Sequence, residues 1–302
     1  MARFLYAQRP SKHIQRRMVI DTCRKLRVFA PLPEYQYVGF GAYEFVDFEL
    51  CRRELGIVSM HSIELNSHQQ DRYSFNRPFS DIKIHFDRAS NVLPDLLEDP
   101  LLRIVWLDYT SGIDQEVLQD LGTCIRKLIP GSVVVITVSA RPATPANERR
   151  AALVRAVGVE RVDPDITDQS LAHGLPTAQA GIFATEVAAQ LSRRSDGSAF
   201  EQLFNIRYRD DQPMHTWGGV VVSPAARSAF EAAHFEELAQ VSRDGALVTA
   251  TVEPLTTREV LHLNQQLPVA EGIPLSGQGI PDNALTAYER LYRWYPSVPA
   301  AM

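Results

Sequence analysis

The sequence predicts a doubly wound α/β fold with a mostly parallel sheet, and three observations lead to that prediction. Apolar stretches rich in β-branched residues alternate with helical patterns from residue 35 to residue 138, which is typical of βαβ units. The first stretch runs straight into the glycine turn Gly39-Phe40-Gly41. Two later stretches, 203–208 and 217–222, flank a polar turn and predict an antiparallel hairpin. Five parallel strands and this hairpin give a seven-stranded sheet, flanked by an N-terminal helix and a small α+β appendage at the C-terminus.

The composition is that of a globular protein without a global charge bias. The chain has 302 residues, a formal net charge of −5 and a pI near 5.9, which gives no overall attraction to nucleic acid or to anionic membranes. Cys23, Cys51 and Cys124 form no CxxC pair, so we expect buried free thiols rather than disulfides or a cysteine-based zinc site. The sequence has neither an apolar run long enough to span a membrane nor the apolar region of a signal peptide. We therefore expect a cytoplasmic protein without membrane contact.

The N-terminal segment, residues 1–34, contains one predicted helix. The pattern of residues 11–30 predicts a helix with Ser11 as its N-cap, and Pro31 follows it. One face of this helix is basic and carries Lys12, Arg16, Arg17, Arg24, Lys25 and Arg27. Two interpretations of that face remain open: a solvated helix surface, or a cationic rim beside a ligand cleft that attracts an anionic substrate.

The main domain, residues 35–222, opens with a βαβ unit. Residues 35–38 predict a strand, residues 42–55 a helix, and residues 57–63 a second strand, which Glu64 follows directly. A carboxylate at this place in a βαβ unit can accept hydrogen bonds from both hydroxyls of a ribose. The alternative is a glycine turn in an ordinary α/β protein, with a solvated Glu64.

The glycine turn lacks the third glycine of the dinucleotide-binding fingerprint, because Glu44 occupies that position. The third glycine lets a helix pack close beneath a pyrophosphate. Its replacement by an acidic side chain argues against NAD or FAD, and it favours an adenosyl ligand without phosphates.

An acidic residue also follows the third predicted strand. The segment 66–78 predicts a helix with Tyr73 and Phe75 facing inward, and residues 81–86 predict the strand, which ends at Asp87. Asp87 can accept a hydrogen bond from an adenine amino group, or it can cap the next helix. The two roles are compatible with each other.

The fourth predicted strand, residues 102–107, is almost entirely apolar and ends at Asp108-Tyr109. The carboxyl end of a central strand lies at the crevice where open α/β sheets bind ligands. Asp108 and Tyr109 are therefore candidate site residues, although capping of the following turn and simple packing are the alternatives. Residues 132–138 predict a fifth strand, which is β-branched and fully buried.

The rest of the chain carries shorter patterns. Three more helices are predicted over 115–128, 147–157 and 176–193, and a strand near 158–162. The C-terminal appendage, residues 223–302, predicts a helix near 225–240, a strand at 247–252 and a helix over 257–266. Near its end, Tyr288, Leu291, Tyr292 and Trp294 form an aromatic cluster that serves either packing or base stacking.

This arrangement resembles the class I S-adenosylmethionine-dependent methyltransferases over residues 30–222, on four features: VGFG at 38–41, Glu64, Asp87, and LDY at 107–109. The resemblance implies a Rossmann-like sheet with an antiparallel last strand. More narrowly, the chain is similar to a bacterial group described as O-methyltransferases. The resemblance implies that S-adenosyl-L-methionine is bound by Gly39, Phe40, Gly41, Glu64, Asp87, Arg88 and Asp108. It also implies catalytic roles for Asp108, near the sulfonium or as a base, and for Tyr109, in the acceptor pocket.

Departures from related subfamilies narrow the expected chemistry. Asp108 is not followed by the Pro-Pro-aromatic motif of amino-methylating enzymes, and the same loop has no cysteine nucleophile. Ser139-Ala140-Arg141 replaces the Asp-Asn pair of metal-dependent catechol-type enzymes. What remains is metal-independent O-methylation of a small-molecule or macromolecular acceptor. The sequence identifies neither this acceptor nor the oligomeric state of the protein.

Two other functions stay open at this stage. One is a catalytically silent protein of this fold that binds nucleic acid or a protein partner through the basic N-terminal helix and the C-terminal appendage. The other is an NAD(P)-dependent dehydrogenase, which the missing third glycine and the lack of a Tyr-x-x-x-Lys pair disfavour.

Overall fold

The computed structural model describes residues 9–241, 244–269 and 274–296, so parts of both flanking segments lie outside the described residues. Its eight strands are β1 (Gln36–Gly39), β2 (Ser59–Ile63), β3 (Lys83–His85), β4 (Arg103–Asp108), β5 (Val133–Ser139), β6 (Ala199–Arg209), β7 (Pro213–Val222) and β8 (Val248–Thr249). They form one sheet in the order β3-β2-β1-β4-β5-β7-β6-β8. The five strands β1 to β5 are parallel, and β7 runs antiparallel to its neighbours β5 and β6. The predicted doubly wound fold with its late antiparallel hairpin is confirmed.

The sheet has one strand more than the seven predicted. The short strand β8 pairs in parallel with β6, with Ile206 opposite Val248. An edge strand presents unpaired backbone groups, and the chain that returns after the hairpin covers part of this edge.

Ten helices surround the sheet in the described part of the chain. They are α1 (Pro10–Cys23), α2 (Val46–Leu55), α3 (Gln70–Asn76), α4 (Ala89–Leu96), α5 (Gln115–Lys127), α6 (Arg149–Val157), α7 (Leu171–Leu191), α8 (Arg227–Ala232), α9 (Thr257–Asn264) and α10 (Asp282–Leu291). One face of the sheet packs on α1, α2, α8 and α10, and the other on α4, α5, α6 and α7. Successive strand residues alternate between these two cores, as Trp106 and Leu107 do. None of the described helices is long and apolar enough to cross a membrane.

The N-terminal helix differs from its prediction at both ends. It begins at Pro10, with Arg9 as the N-cap, because proline is well suited to the first position of a helix. Ser11 is not the N-cap: its hydroxyl group instead accepts a hydrogen bond from the backbone N–H of Val252. After Cys23 the chain continues as a 3-10 helix rather than as α-helix. The first-turn N–H groups of Ser11 and Lys12 donate to the carboxylate of Asp210, at 3.0 and 2.9 Å.

The interpretation of the basic face as a solvated surface is wrong for Lys12 and Arg16. Lys12 and Arg16 are buried, and Arg16 forms an ion pair with Asp47 at 2.6 Å. Farther along, Arg17 and Arg24 both pair with Glu54, and Lys25 donates to the backbone carbonyls of residues 233 and 234. The face packs against the domain because its cations find acceptors there.

Several local predictions are corrected by the structure. Phe75 is 88% exposed, although Tyr73 on the same short helix is buried as predicted. The predicted strand near 158–162 is a 3-10 helix, which follows Gly158 at a positive φ of 92°. The predicted helix near 225–240 is α8 and ends at Ala232, because His234 adopts a left-handed conformation.

The end of the C-terminal appendage packs into the protein. Tyr288, Leu291 and Trp294 are buried, whereas Tyr292 is exposed. The Trp294 indole N–H donates to Asp21 on α1 at 2.7 Å. Packing, rather than base stacking, is therefore the role of the three buried members of this aromatic cluster.

Candidate active site

The carboxyl ends of the parallel strands border a cavity of about 430 Å³, which we call the donor cavity. Its volume lies in the range of small-molecule sites, and its position is the one where open α/β sheets bind ligands. The lining residues come from the ends of β1, β2, β3 and β4 and from the starts of α4 and α5. They include Phe40, Ala42, Ile63, Glu64, Tyr73, Asp87, Ala89, Asp108, Tyr109, Val117 and Asp120.

The glycine turn supports this cavity from beneath. A Cβ atom on Gly39 would lie 2.8 Å from the carbonyl oxygen of Trp106, and one on Gly41 would lie 2.4 Å from the ring of Phe45. The two glycines are therefore required by close packing within the protein, and Phe40 and Ala42 face the cavity instead. Ala42 and Phe45 adopt positive φ angles of 49° and 48°, which are uncommon for non-glycine residues. This tight turn delays the start of α2 to Val46, later than predicted.

Glu64 is buried at the edge of the donor cavity. Its Oε1 atom accepts hydrogen bonds from the backbone N–H groups of Gly41 at 2.8 Å and Ala42 at 3.1 Å, and from the Ser62 hydroxyl at 2.7 Å. Burial raises the pKa of Glu64, and these hydrogen bonds oppose that rise. The turn thus fixes the carboxylate in one orientation, with the Tyr73 hydroxyl beside it.

Asp87 and Arg88 lie at the exposed rim. The Oδ1 atom of Asp87 accepts hydrogen bonds from the Arg88 N–H at 2.7 Å and from the Asn91 amide at 2.8 Å, and these bonds lower the pKa of Asp87. Arg88 is the N-cap residue of α4 and pairs with Glu116 at 2.8 Å. Asp87 lines the cavity, whereas the side chain of Arg88 pairs with Glu116 and is not part of the lining.

Asp108 ends β4 and Tyr109 follows it directly, and their side chains make contacts on opposite sides of the sheet. Asp108 pairs with Lys12 of α1 at 2.5 Å, and both side chains are largely buried. The Tyr109 hydroxyl donates to Asp120 of α5 at 2.6 Å, and its ring meets Phe40 edge to face at 5.1 Å. Burial raises the pKa of Tyr109 well above its usual value. Both predicted catalytic residues line the donor cavity, but their polar groups have partners on different helices, α1 for Asp108 and α5 for Tyr109.

A second, smaller cavity of about 40 Å³ lies beyond Asp108, and we call it the acceptor gap after the role that we propose for it. It is lined by Arg9, Lys12, Asp108, Thr110, Tyr208, Asp210, Asp211, Gln212 and Met214. The first two come from α1 and its N-cap, and the last five from the β6–β7 hairpin. Asp108 and Thr110 line both cavities, and Asp108 is the only one of the two that ionises.

Two charged residues at this site, Lys12 and Asp120, have contacts that the sequence does not predict. Lys12 is one of the six cations on the predicted basic helix face, but nothing in the sequence pattern pairs it with Asp108. Asp120 lies within the predicted helix over 115–128, where the pattern assigns it no role, and it is fully buried. A buried acid on the apolar side of a helix is the signal that could have marked it.

A metal ion and an adenosyl ligand require different sets of side chains. Among residues 9–241, 244–269 and 274–296, no group of three or more His, Cys, Asp or Glu side chains could hold a metal ion. An adenosyl ligand, by contrast, finds a fixed carboxylate in Glu64, an apolar wall, and an unpartnered buried oxygen on Asp120. The residues present fit S-adenosyl-L-methionine.

Comparison with protein families gives one match that extends over nearly the whole chain. The family described as "Putative O-methyltransferase" matches residues 4–300. No curated protein sequence matches the chain. Among solved structures, Trm1 from Pyrococcus horikoshii with S-adenosyl-L-methionine is 11% identical over 72% of this chain and 57% of Trm1, with a TM-score of 0.42. The chain thus spans little more than half of the length of Trm1.

A second solved structure is the O-methyltransferase TomG from Streptomyces achromogenes, which is involved in tomaymycin synthesis and was determined in complex with S-adenosyl-L-methionine. It is 16% identical over 70% of this chain and 89% of TomG, with a TM-score of 0.39. These structural likenesses are distant, whereas the family match extends over nearly the whole chain. The protein belongs to this O-methyltransferase family, and the resemblance to class I S-adenosyl-L-methionine-dependent methyltransferases is confirmed.

Proposed function

We propose that the protein transfers the methyl group of S-adenosyl-L-methionine to an oxygen atom of an acceptor that binds beside Asp108. The observation that carries this proposal is the position of Asp108 between the donor cavity and the acceptor gap. A methyl group that passes from one ligand to another must do so where the two sites meet.

The donor is held by the parallel-strand ends. We assign Glu64 to the ribose hydroxyls, because the glycine turn fixes its carboxylate beside the cavity. Phe40 and Ala42 cover the turn, and Ile63 and Val117 supply apolar contact to the base. When bound, the donor supplies a sulfonium methyl group: the acceptor oxygen forms a C–O bond with its lone pair, and the electrons of the broken C–S bond remain on sulfur.

Asp108 takes the proton of an acceptor hydroxyl group as the C–O bond forms. Its carboxylate is positioned by Lys12, whose ammonium group also balances its charge in this largely buried place. An acceptor whose oxygen is already ionised needs no base, and Asp108 then contacts the amino group of the donor instead. In either case the chain contributes mainly by placing the reactants.

The proposal also includes metal independence and a cytoplasmic location. The segment after β5 lacks the Asp-Asn pair of metal-dependent catechol-type enzymes, which supports metal independence. The three buried free thiols Cys23, Cys51 and Cys124 suit a reducing compartment, which supports the cytoplasmic location. The alternative of a silent scaffold that binds polyanions loses support, because Lys12, Arg16 and Arg17 of the basic helix are paired with acids.

Calorimetric titration tests the donor assignment. We expect S-adenosyl-L-methionine and S-adenosyl-L-homocysteine to bind the purified protein and NAD not to bind. Absence of binding by both adenosyl ligands would refute the proposal, and selective binding of NAD would favour a dehydrogenase.

Labelled transfer tests the reaction. Protein incubated with methyl-labelled S-adenosyl-L-methionine and fractionated extract should yield a labelled product, and EDTA should leave the yield unchanged. Release of labelled methanol by alkali would identify a methyl ester and hence a carboxyl acceptor. For an alkali-stable label, the methylated atom must be identified in the purified product, and a methyl group on oxygen would identify an ether. Label found on nitrogen or carbon would contradict O-methylation.

A further inference from the structure

We propose that Asp120 of α5 accepts a hydrogen bond from the exocyclic amino group of the donor's adenine, and that it determines the specificity for this base. The inference deepens the proposed function and rests on it. It assigns the base-selecting role to a helix residue, in addition to or instead of Asp87 at the end of β3.

The first argument is an unpartnered buried oxygen atom. Asp120 is fully buried and lines the donor cavity. Its Oδ2 atom accepts the hydroxyl of Tyr109 at 2.6 Å, whereas Oδ1 has no hydrogen-bond partner within the described ranges of the chain. A buried carboxylate oxygen without a donor is unfavourable, so a ligand that brings an N–H group into the cavity gains a strong hydrogen bond there.

The second argument is the apolar surface that surrounds this oxygen. Ile63, Ala89 and Val117 are buried and line the same cavity, and Tyr109 packs against their core. Such walls suit a flat heterocycle, and they are unsuited to a ribose or to an ammonium group. The adenine amino group is a neutral donor on a flat apolar ring, which is the chemistry that this part of the cavity accommodates.

The electrostatics of Asp120 are those of a buried carboxyl group that a further hydrogen-bond donor would help to keep ionised. Burial raises the pKa of Asp120 to about 6, and the nearby Glu116 and Asp114 add to that rise, while the Tyr109 hydroxyl opposes it. Tyr109 thereby holds the carboxylate in place. Its own deprotonation is disfavoured by burial and by Asp120, so it remains the donor in this pair.

Asp87 is the weaker candidate for the same task. It is exposed, and its Oδ1 atom already accepts two hydrogen bonds from Arg88 and Asn91. Water competes for any bond made at an exposed rim, whereas a buried polar group rejects a ligand that cannot satisfy it. We therefore expect discrimination between bases to arise at Asp120.

The experiment uses S-adenosyl-L-homocysteine and its inosine counterpart, in which a carbonyl oxygen replaces the amino group. The wild-type carboxylate repels that oxygen, so we expect the adenine ligand to bind at least tenfold more tightly. In Asp120→Asn, the side-chain oxygen still accepts the Tyr109 hydroxyl, and the new amide N–H group faces the cavity. We expect this variant to lose the preference or to reverse it in favour of the inosine ligand.

Asp87→Asn is the matched control and should retain the wild-type preference. An unchanged preference in Asp120→Asn, with a thermal midpoint close to wild type, would overturn the inference, and a reversal in Asp87→Asn instead would assign the role to β3. If the wild-type protein binds neither ligand, the proposed function fails before the question of the base arises. The two failures are therefore distinguishable.

Discussion

The donor cavity and the acceptor gap meet at Asp108, but they are built in different ways. The donor cavity uses residues from 40 to 120, which follow one another along consecutive strand ends. The acceptor gap joins α1 to the β6–β7 hairpin, so its walls come from segments about 200 residues apart in the sequence. The first cavity is formed at the carboxyl ends of the parallel strands, and the second depends on α1 and the hairpin. We therefore expect donor binding to depend on the strand ends, and acceptor identity to depend on α1 and the hairpin.

The two sites also differ in polarity and size. Apolar side chains form much of the donor cavity, whereas the acceptor gap is lined by paired charges such as Lys12 with Asp108 and Arg9 with Asp211. A gap of about 40 Å³ holds little more than one water molecule. An acceptor larger than that requires α1 or the hairpin turn to shift.

The largest effect should follow from Asp108→Asn, which removes the one ionisable side chain that lines both cavities. If Asp108 is the base, we expect the rate of methyl transfer to fall by about 10²–10⁴-fold with unchanged donor affinity. If Asp108 contacts the donor instead, the Kd for S-adenosyl-L-homocysteine should rise while the proton transfer is unaffected. Rate and calorimetric titration together separate the two roles. Asp211→Asn is the control, since Asp211 lies on the gap but is exposed.

Glu64→Gln tests the donor side alone. The amide retains an oxygen for the backbone of the glycine turn but loses the charge that strengthens hydrogen bonds from ribose hydroxyls. We expect the affinity for S-adenosyl-L-homocysteine to fall by roughly ten- to a hundredfold, as measured by titration. Glu116→Gln, at the rim, should bind as the wild type does. Equal affinities in the wild type and in Glu64→Gln would contradict the ribose assignment.

Acidic pH should lower the free energy of unfolding, because His61 on β2 is kept neutral in the folded protein. The Gln36 amide donates to its Nε2 atom, so His61 is neutral, and burial with the nearby His85 lowers its pKa to about 4. The unfolded chain binds this proton below pH 6.5 and the folded protein does not, so stability is full above pH 6.5 and declines toward pH 4. At pH 5.5 the loss is about 1.4 kcal/mol.

Denaturant unfolding at several pH values measures this loss. The slope of unfolding free energy between pH 6.5 and 4 should be shallower in His61→Gln than in the wild type. His68→Gln, at an exposed position of the same region, should keep the wild-type slope. Identical slopes in the His61 and His68 variants would show that His61 does not remain neutral in the folded protein.

The smallest effect concerns the acceptor side. Asp210→Ala removes the carboxylate that accepts the first-turn N–H groups of α1, and loss of such a cap costs about 1 kcal/mol. We expect the unfolding free energy to fall by this amount, with donor affinity unchanged. Asp211→Ala should change stability by no more than about 0.5 kcal/mol, because Asp211 is exposed. A weakened donor site in Asp210→Ala would show that the two regions are coupled.

The difference between the donor cavity and the acceptor gap also explains which features the sequence predicts. The strands, the glycine turn, and the acids that follow β2, β3 and β4 are local patterns, and the structure places Phe40, Glu64, Asp87 and Asp108 on one cavity. Their binding roles remain predictions. The Lys12–Asp108 pair joins residues 96 positions apart, and no periodicity encodes such a contact. The start of α2 was missed for a different reason: Ala42 and Phe45 adopt backbone conformations that non-glycine residues seldom take.

The cap of α1 has a consequence for the order in which the chain assembles. Ser11 leaves the ribosome early, but its acceptor on Asp210 is synthesised 199 residues later. Long-range contacts form late because closing a long loop is entropically costly. The first turn of α1, and with it the acceptor gap, is therefore completed only after the hairpin has formed. A nascent chain that ends before the hairpin already contains every lining residue of the donor cavity, and it still lacks the place where the methyl group is received.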